Sequence, residues 1–249
     1  MMRREGDADG GRRSVGANLF GTSEQSPASV LIQEGDEVQQ PAKEYCFESY
    51  WNPPDLTDHA LALRELRLDP FFHRIAPDAY NGYVNGSLNI GREAAEKYVG
   101  QDPAGLAVQL GAHIAYGACR MEVAGQVVRS EYDSGTRAIT VYLPSTAEVE
   151  ERLETGLLRS ILSSACRKEW LRPSLIVDLH VAHELFHHLE ATCIGRTDNR
   201  LPLVAIQVIG PFAIGTTRVR KCREIAAHAF VKELIRLPFL PNAFDILAQ

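Results

Sequence analysis

Residues 175–190 read LIVDLHVAHELFHHLE and contain H-E-x-x-H at His183, Glu184 and His187. Leu175, Leu179, Ala182, Phe186 and Leu189 recur at helical spacing, Pro173 suits a first turn and Gly195 a stop, so the spacing predicts a helix. Histidines four apart on a helix share a face, with Cβ atoms about 5–6 Å apart. Both imidazoles can then reach one ion at ~2.0–2.1 Å, and zinc is the expected ion. Glu184, beside them, is placed to act as general base on a water held by that ion. A chain of this composition would contain roughly 0.02 such motifs by chance. The competing reading is a helix whose histidines are hydrogen-bonded core or solvated residues. It must account for His180, His183, His187 and His188 clustering around one glutamate.

A catalytic zinc takes three protein ligands and keeps a fourth position open, so the motif needs a partner from elsewhere. Residues 223–237, REIAAHAFVKELIRL, repeat at helical spacing up to Pro238 and place Glu224 and His228 four apart on one face. Glu224 is the first choice for the third ligand, because a carboxylate is a normal partner of two imidazoles and the small Ala226 and Ala227 allow close helix approach. His228 is the second choice, since imidazole also serves. His188, Asp198 and His180 follow. His188 points about 100° away from His187 on a helix, and His180 lies a turn before His183, so surrounding or surface roles suit them better.

Working outward, residues 1–42 are rich in Gly, Ser and acidic residues without periodicity and are expected to be a disordered arm. Residues 43–101 are expected to be a helical and loop extension, with Thr57 capping a short helix that reaches Leu66. Asn81-Gly82 and Asn85-Gly86 predict a loop or small hairpin over 77–89. The third unit is 102–249. There Asp102 and Pro103 open a helix to about Gly111. Strand-like runs at 113–116, 126–132 and 137–143 follow, the last two joined by Asp133-Ser134-Gly135. Ser145-Thr146-Ala147-Glu148 reads as a capping box opening a helix to about Arg167, and residues 201–217 read as strand or covering loop. The expected class is α+β: a small, mostly antiparallel sheet packed with helices.

Forty-five per cent hydrophobic content over 249 residues is ample for a core. A formal charge of −6 argues against strong nucleic-acid binding, and the basic run Arg218, Arg220, Lys221 and Arg223 reads as a solvated turn before a helix. Cys46, Cys119, Cys166, Cys193 and Cys222 are an odd, scattered set without C-x-x-C, which fits reduced thiols. No apolar run is long enough to span a membrane, and Arg3 and Arg4 are followed by acidic residues rather than an apolar core. The expected location is the cytoplasm. Oligomeric state is not legible.

H-E-L-F-H-H followed by R-E-I-A-A-H-A-F-V-K-E-L-I-R-L-P resembles the two signatures of the ImmA/IrrE-type zinc metallopeptidases, over about 102–238. The resemblance implies a minimal gluzincin-like fold in which Glu224 is the third zinc ligand, Ala227 and Phe230 occupy the family's alanine and aromatic positions, and His228 stands where the family has Asn or Asp. That departure leaves three roles open for His228 at the site: hydrogen-bonding a ligand, donating to the oxyanion, or replacing Glu224 on the metal. The resemblance also implies limited proteolysis of a regulatory protein such as a transcriptional regulator. Two other classes remain open at this stage: a non-catalytic metal-binding scaffold of the same fold, and a zinc hydrolase of a non-peptide amide.

Overall fold

In the computed structural model the residues described are 56–155, 174–209 and 212–247. The expected N-terminal arm, the end of the helix placed at 145–167, Cys46 and Cys166 lie outside them. The class is α+β.

Helix α1 (Asp58–Leu66) begins at Thr57, whose hydroxyl accepts from the amide of Ala60 at 3.2 Å. Helix α2 (Tyr80–Ala95) overturns the loop expected over 77–89. Its buried residues Tyr83, Val84, Ser87, Leu88, Gly91 and Ala95 form a helical stripe, and burial of that stripe overrides the turn preference of both Asn-Gly pairs. Helix α3 (Pro103–Gln109) starts as the sequence suggests, with Asp102 accepting from Gly105 N at 2.8 Å.

Five strands follow: β1 (His113–Gly117), β2 (Met121–Val123), β3 (Gln126–Val128), β4 (Ser130–Asp133) and β5 (Ala138–Tyr142). The run expected as one strand over 126–132 divides at Arg129. Strand β3 pairs with β2 in a two-stranded ribbon, whereas β4 joins a sheet of order β1-β5-β4. Strand β5 runs antiparallel to β4 but parallel to β1, with His113 opposite Ala138 and Gly117 opposite Tyr142. This sheet is therefore mixed rather than mostly antiparallel, because β1 is not joined to β5 by a hairpin. Helix α4 is described over Leu143–Thr155 and starts before the expected capping box. Ser145 is buried, its hydroxyl without a partner among the described residues, and Thr146 donates to Leu143 O at 2.9 Å from inside the helix.

Helix α5 (Ser174–Leu189) carries H-E-x-x-H and continues into a wider π-helical turn, Glu190–Ile194, which stops at Gly195 with φ 73°. Strands β6 (Val204–Ile209) and β7 (Phe212–Thr217) form an antiparallel hairpin where strand or loop was expected. Helix α6 (Lys221–Ile235) ends at Arg236 in the left-handed conformation, and α7 (Ala243–Leu247) closes the described chain.

The core is continuous from α1 to α7. Helices α2 and α6 cross so closely that a Cβ on Gly91 would lie 2.1 Å from the Ala226 carbonyl oxygen, a contact only glycine permits. The N-terminal part also fixes both ends of α6. Asp69 accepts from Lys221 N at 3.0 Å, supplying a cap that Arg220 does not, and Asp58 holds Lys232 at 2.7 Å. Lys221 Nζ reaches Glu65 at 2.7 Å, so this part of the basic run is tied to α1 rather than merely solvated. On the other side, the sheet covers α5 through residues two apart on β4. Ser130 meets Glu184, and Tyr132 meets His188 four residues on. The two-residue period of a strand and the four-residue period of a helix nearly coincide in length.

Candidate metal centre

Helix α5 supplies His183 and His187 on the face turned toward α6, with Glu184 beside them against β4, and α6 supplies Glu224. Phe186 and Phe230, both fully buried with ring centroids 5.6 Å apart, pack the two helices together behind this face. The result is a three-residue cluster in which ligand atoms of His183, His187 and Glu224 lie within 4.8 Å of one another. His183 Nε2 is 3.2 Å from Glu224 Oε2, and His187 Nε2 is 3.7 Å from Glu224 Oε1. Two bonds of ~2.0–2.1 Å at a tetrahedral angle separate their ligand atoms by about 3.3 Å, so this spacing and donor set fit zinc. Burial opposes a charge on Glu224, but its hydrogen bonds to both histidines outweigh that and hold it far below the usual carboxylate range.

Glu190, which the sequence reading passed over, completes the surroundings. Fully buried, it takes the back of the His187 ring, with Oε2 3.0 Å from Nδ1. The same carboxylate accepts from Arg223 Nε at 2.8 Å and from Thr197 N at 2.7 Å. Burial raises its pKa, yet these donors more than offset burial and keep Glu190 ionised; in turn the carboxylates of Glu190 and Glu224 outweigh the burial of His187 and favour its charged form. A carboxylate on one imidazole nitrogen, leaving the other toward the cluster, is a recurrent way of orienting a metal-binding histidine. The signal was present: Glu190 lies three residues after His187, on the same helical face. Arg223 is thus part of this network, not a solvated turn residue.

Glu184 is 6% exposed and accepts from Ser130 Oγ at 2.7 Å. Ser130 is a second residue that sequence reasoning missed, and no local signal reveals it, because its approach depends on how β4 lies over α5. His180 reaches the same hydroxyl at 3.2 Å through Nδ1. Burial and the nearby His183 push His180 down to about 3.

His228 is not among the clustered atoms. Its ring sits 5.0 Å from that of His183, and its Nδ1 is buried without a partner among the described residues. Burial and His183 lower it to about 3, so it is a neutral imidazole. His188 departs from the surface or surrounding role expected of it. It is fully buried, with Nδ1 3.0 Å from the Tyr132 hydroxyl and Nε2 3.0 Å from Leu110 O, and it ties β4 and the residue that ends α3 to α5. Asp198, also buried, is held by Arg196 at 2.6 and 3.0 Å.

Two cavities flank the cluster and share His183, Glu184 and Glu224. One, of about 300 Å³, is walled by Val128, Ile176, Leu179 and Phe244, with His228 among its lining. The other, of about 560 Å³, is lined by Glu131, Tyr132, His187, Glu190 and Arg223. The edge strand β4 runs along both, with Ser130 lining the first and Tyr132 the second.

Among the described residues Cys119 and Cys193 are exposed, Cys222 is buried, and all three are free thiols. No described helix is long and apolar enough to cross a membrane. Compared with family models, curated proteins and solved structures, the chain matches none.

Proposed function

We propose that this chain is a zinc-dependent metallopeptidase that cuts a regulatory protein at a limited number of bonds. The observation that carries this reading is the meeting of His183 and His187 from α5 with Glu224 from α6, with Glu184 beside them on the wall of both cavities. His183, His187 and Glu224 would hold the metal. Bound zinc supplies Lewis acidity toward a scissile carbonyl and makes water easier to deprotonate.

The remaining work falls to side chains of the chain itself. Glu184 takes the proton of the attacking water and passes it to the leaving amine. Glu190 keeps the His187 ring turned so that Nε2 faces Glu224. His228, neutral and beside His183, is the group we assign to donate a hydrogen bond to the carbonyl oxygen as negative charge develops there. An extended peptide has a template in β4, which among the described strands pairs with β5 alone and borders both cavities. A regulatory protein as substrate follows from the resemblance of the two helix signatures to the ImmA/IrrE-type peptidases. A scaffold would have no use for a glutamate at position 184 beside the cluster.

The test is a trap. Zinc-loaded full-length Glu184→Gln is used to capture binding proteins, and each captured protein is then offered to the wild type. Cleavage by wild type at one or two bonds supports the proposal. Proteins bound by the variant but left intact by wild type would favour the scaffold.

A further inference from the structure

Ser130 has no place in H-E-x-x-H or in the metal cluster, yet it makes the shortest described contact to Glu184. Its Oγ lies 2.7 Å from Glu184 Oε1 and 3.2 Å from His180 Nδ1. An ionised carboxylate only accepts, so the hydroxyl proton points at Glu184. The contact to His180 then requires that Nδ1 carries a hydrogen and donates to the serine oxygen. The groups form a directed chain from His180 through Ser130 to Glu184.

Docking of the sheet is already provided two residues further along β4. There Tyr132 meets His188, whose ring is fully buried and engaged at both nitrogens. The Ser130 hydroxyl therefore adds something specific to the carboxylate. A glutamate carboxyl sits at the end of three rotatable bonds, and a charge-assisted hydrogen bond to one oxygen selects a single orientation. With Oε1 taken, Oε2 is left to receive a proton.

We infer that Ser130 is a positioning residue for the acid–base carboxylate Glu184, and that His180 sets the direction of the serine hydroxyl; this rests on the role proposed above for Glu184. Removing the hydroxyl leaves every metal-facing atom in place and lets the carboxylate rotate. Misplacement on the scale of 1 Å costs up to ~10²-fold in rate, so a loss of about 10-fold is expected for one released orientation.

The experiment uses the zinc-loaded full chain and a proteome-derived peptide library, from which the fastest-cut peptide is taken for kinetics. Ser130→Ala should keep zinc content and thermal midpoint, lower kcat about 10-fold and leave KM unchanged. Ser130→Thr, which keeps a hydroxyl, should recover most of the loss. In a Glu184→Gln background Ser130→Ala should cost nothing further. Wild-type kcat in Ser130→Ala, an effect on KM alone, or an equal further loss in the Glu184→Gln background would overturn the inference. Crystals of wild type and Ser130→Ala supply a readout independent of activity: Glu184 should hold one orientation in the first and several, or a new one, in the second. If wild type cuts no peptide, the proposed function falls, and the crystals alone decide. An unmoved Glu184 in Ser130→Ala then overturns the positioning role.

Discussion

The imidazole of His187 is held from behind by Glu190, its Nδ1 3.0 Å from a carboxylate oxygen that is itself fully buried. That carboxylate also anchors Arg223, the residue immediately before Glu224. One buried side chain therefore fixes a proposed ligand on α5 and the start of the segment that brings the proposed ligand on α6.

Replacing Glu190 by Gln should accordingly weaken zinc binding without touching any ligand. Loss of a partner that orients a metal-binding histidine typically costs 10–100-fold in affinity, and a fall of about that size is expected. Competition with a chelator of known affinity measures it. Unchanged affinity would mean that Glu190 only braces Arg223 and Thr197.

Purified wild type should carry about one zinc per chain by elemental analysis. His183→Ala should abolish this, Glu224→Ala should reduce it strongly, and His228→Ala should leave it intact, because His228 lies outside the clustered ligand atoms. Zinc retained in Glu224→Ala but lost in His228→Ala would exchange the two assignments.

For Glu184→Gln the expectation separates chemistry from binding. Zinc content and fold should persist, while turnover of the captured substrate falls by ~10²–10⁴-fold, the usual worth of general acid–base assistance. Cleavage at the wild-type rate would exclude the mechanism.

Gly91→Ala tests the packing beneath the site. The added methyl would meet the Ala226 carbonyl at 2.1 Å and Ala229 Cβ at 2.8 Å, and neither is a flexible side-chain end. Overpacking of this kind costs about 1–3 kcal/mol. For a chain of this size that lowers the thermal midpoint by roughly 2–10 °C. Scanning calorimetry on the zinc-free protein gives the answer.

Local chemistry explains what the sequence revealed. Thr57 and Asp102 announce helix starts because a cap is a contact within three residues, and both make it. His183, Glu184 and His187 are set by one helical turn, and Glu224 was reachable because a carboxylate on a second helix is what two imidazoles lack. The missed features depend on distance along the chain. The helix over Tyr80–Ala95 is stabilised by burial against α6, some 140 residues later, which outweighs two Asn-Gly turn signals. The parallel pairing of β1 with β5 skips three intervening strands, and Ser130 reaches Glu184 across 54 residues. His188 was misjudged because helical projection places a side chain but does not say what covers it.

The glycine contact between α2 and α6 separates the letters of the site from the body able to hold it. A polypeptide begun at Asp102 would still spell both helix signatures, yet it would lack Gly91, the Asp69 cap and the Asp58 anchor that together set how far α6 is turned. Glu224 sits on the first turn and a half of that helix, so a rotation or slip of α6 carries its carboxylate away from the imidazoles before any residue of the motif has changed. Grafting the two signature helices into another protein would transplant the alphabet of the centre and leave its alignment behind.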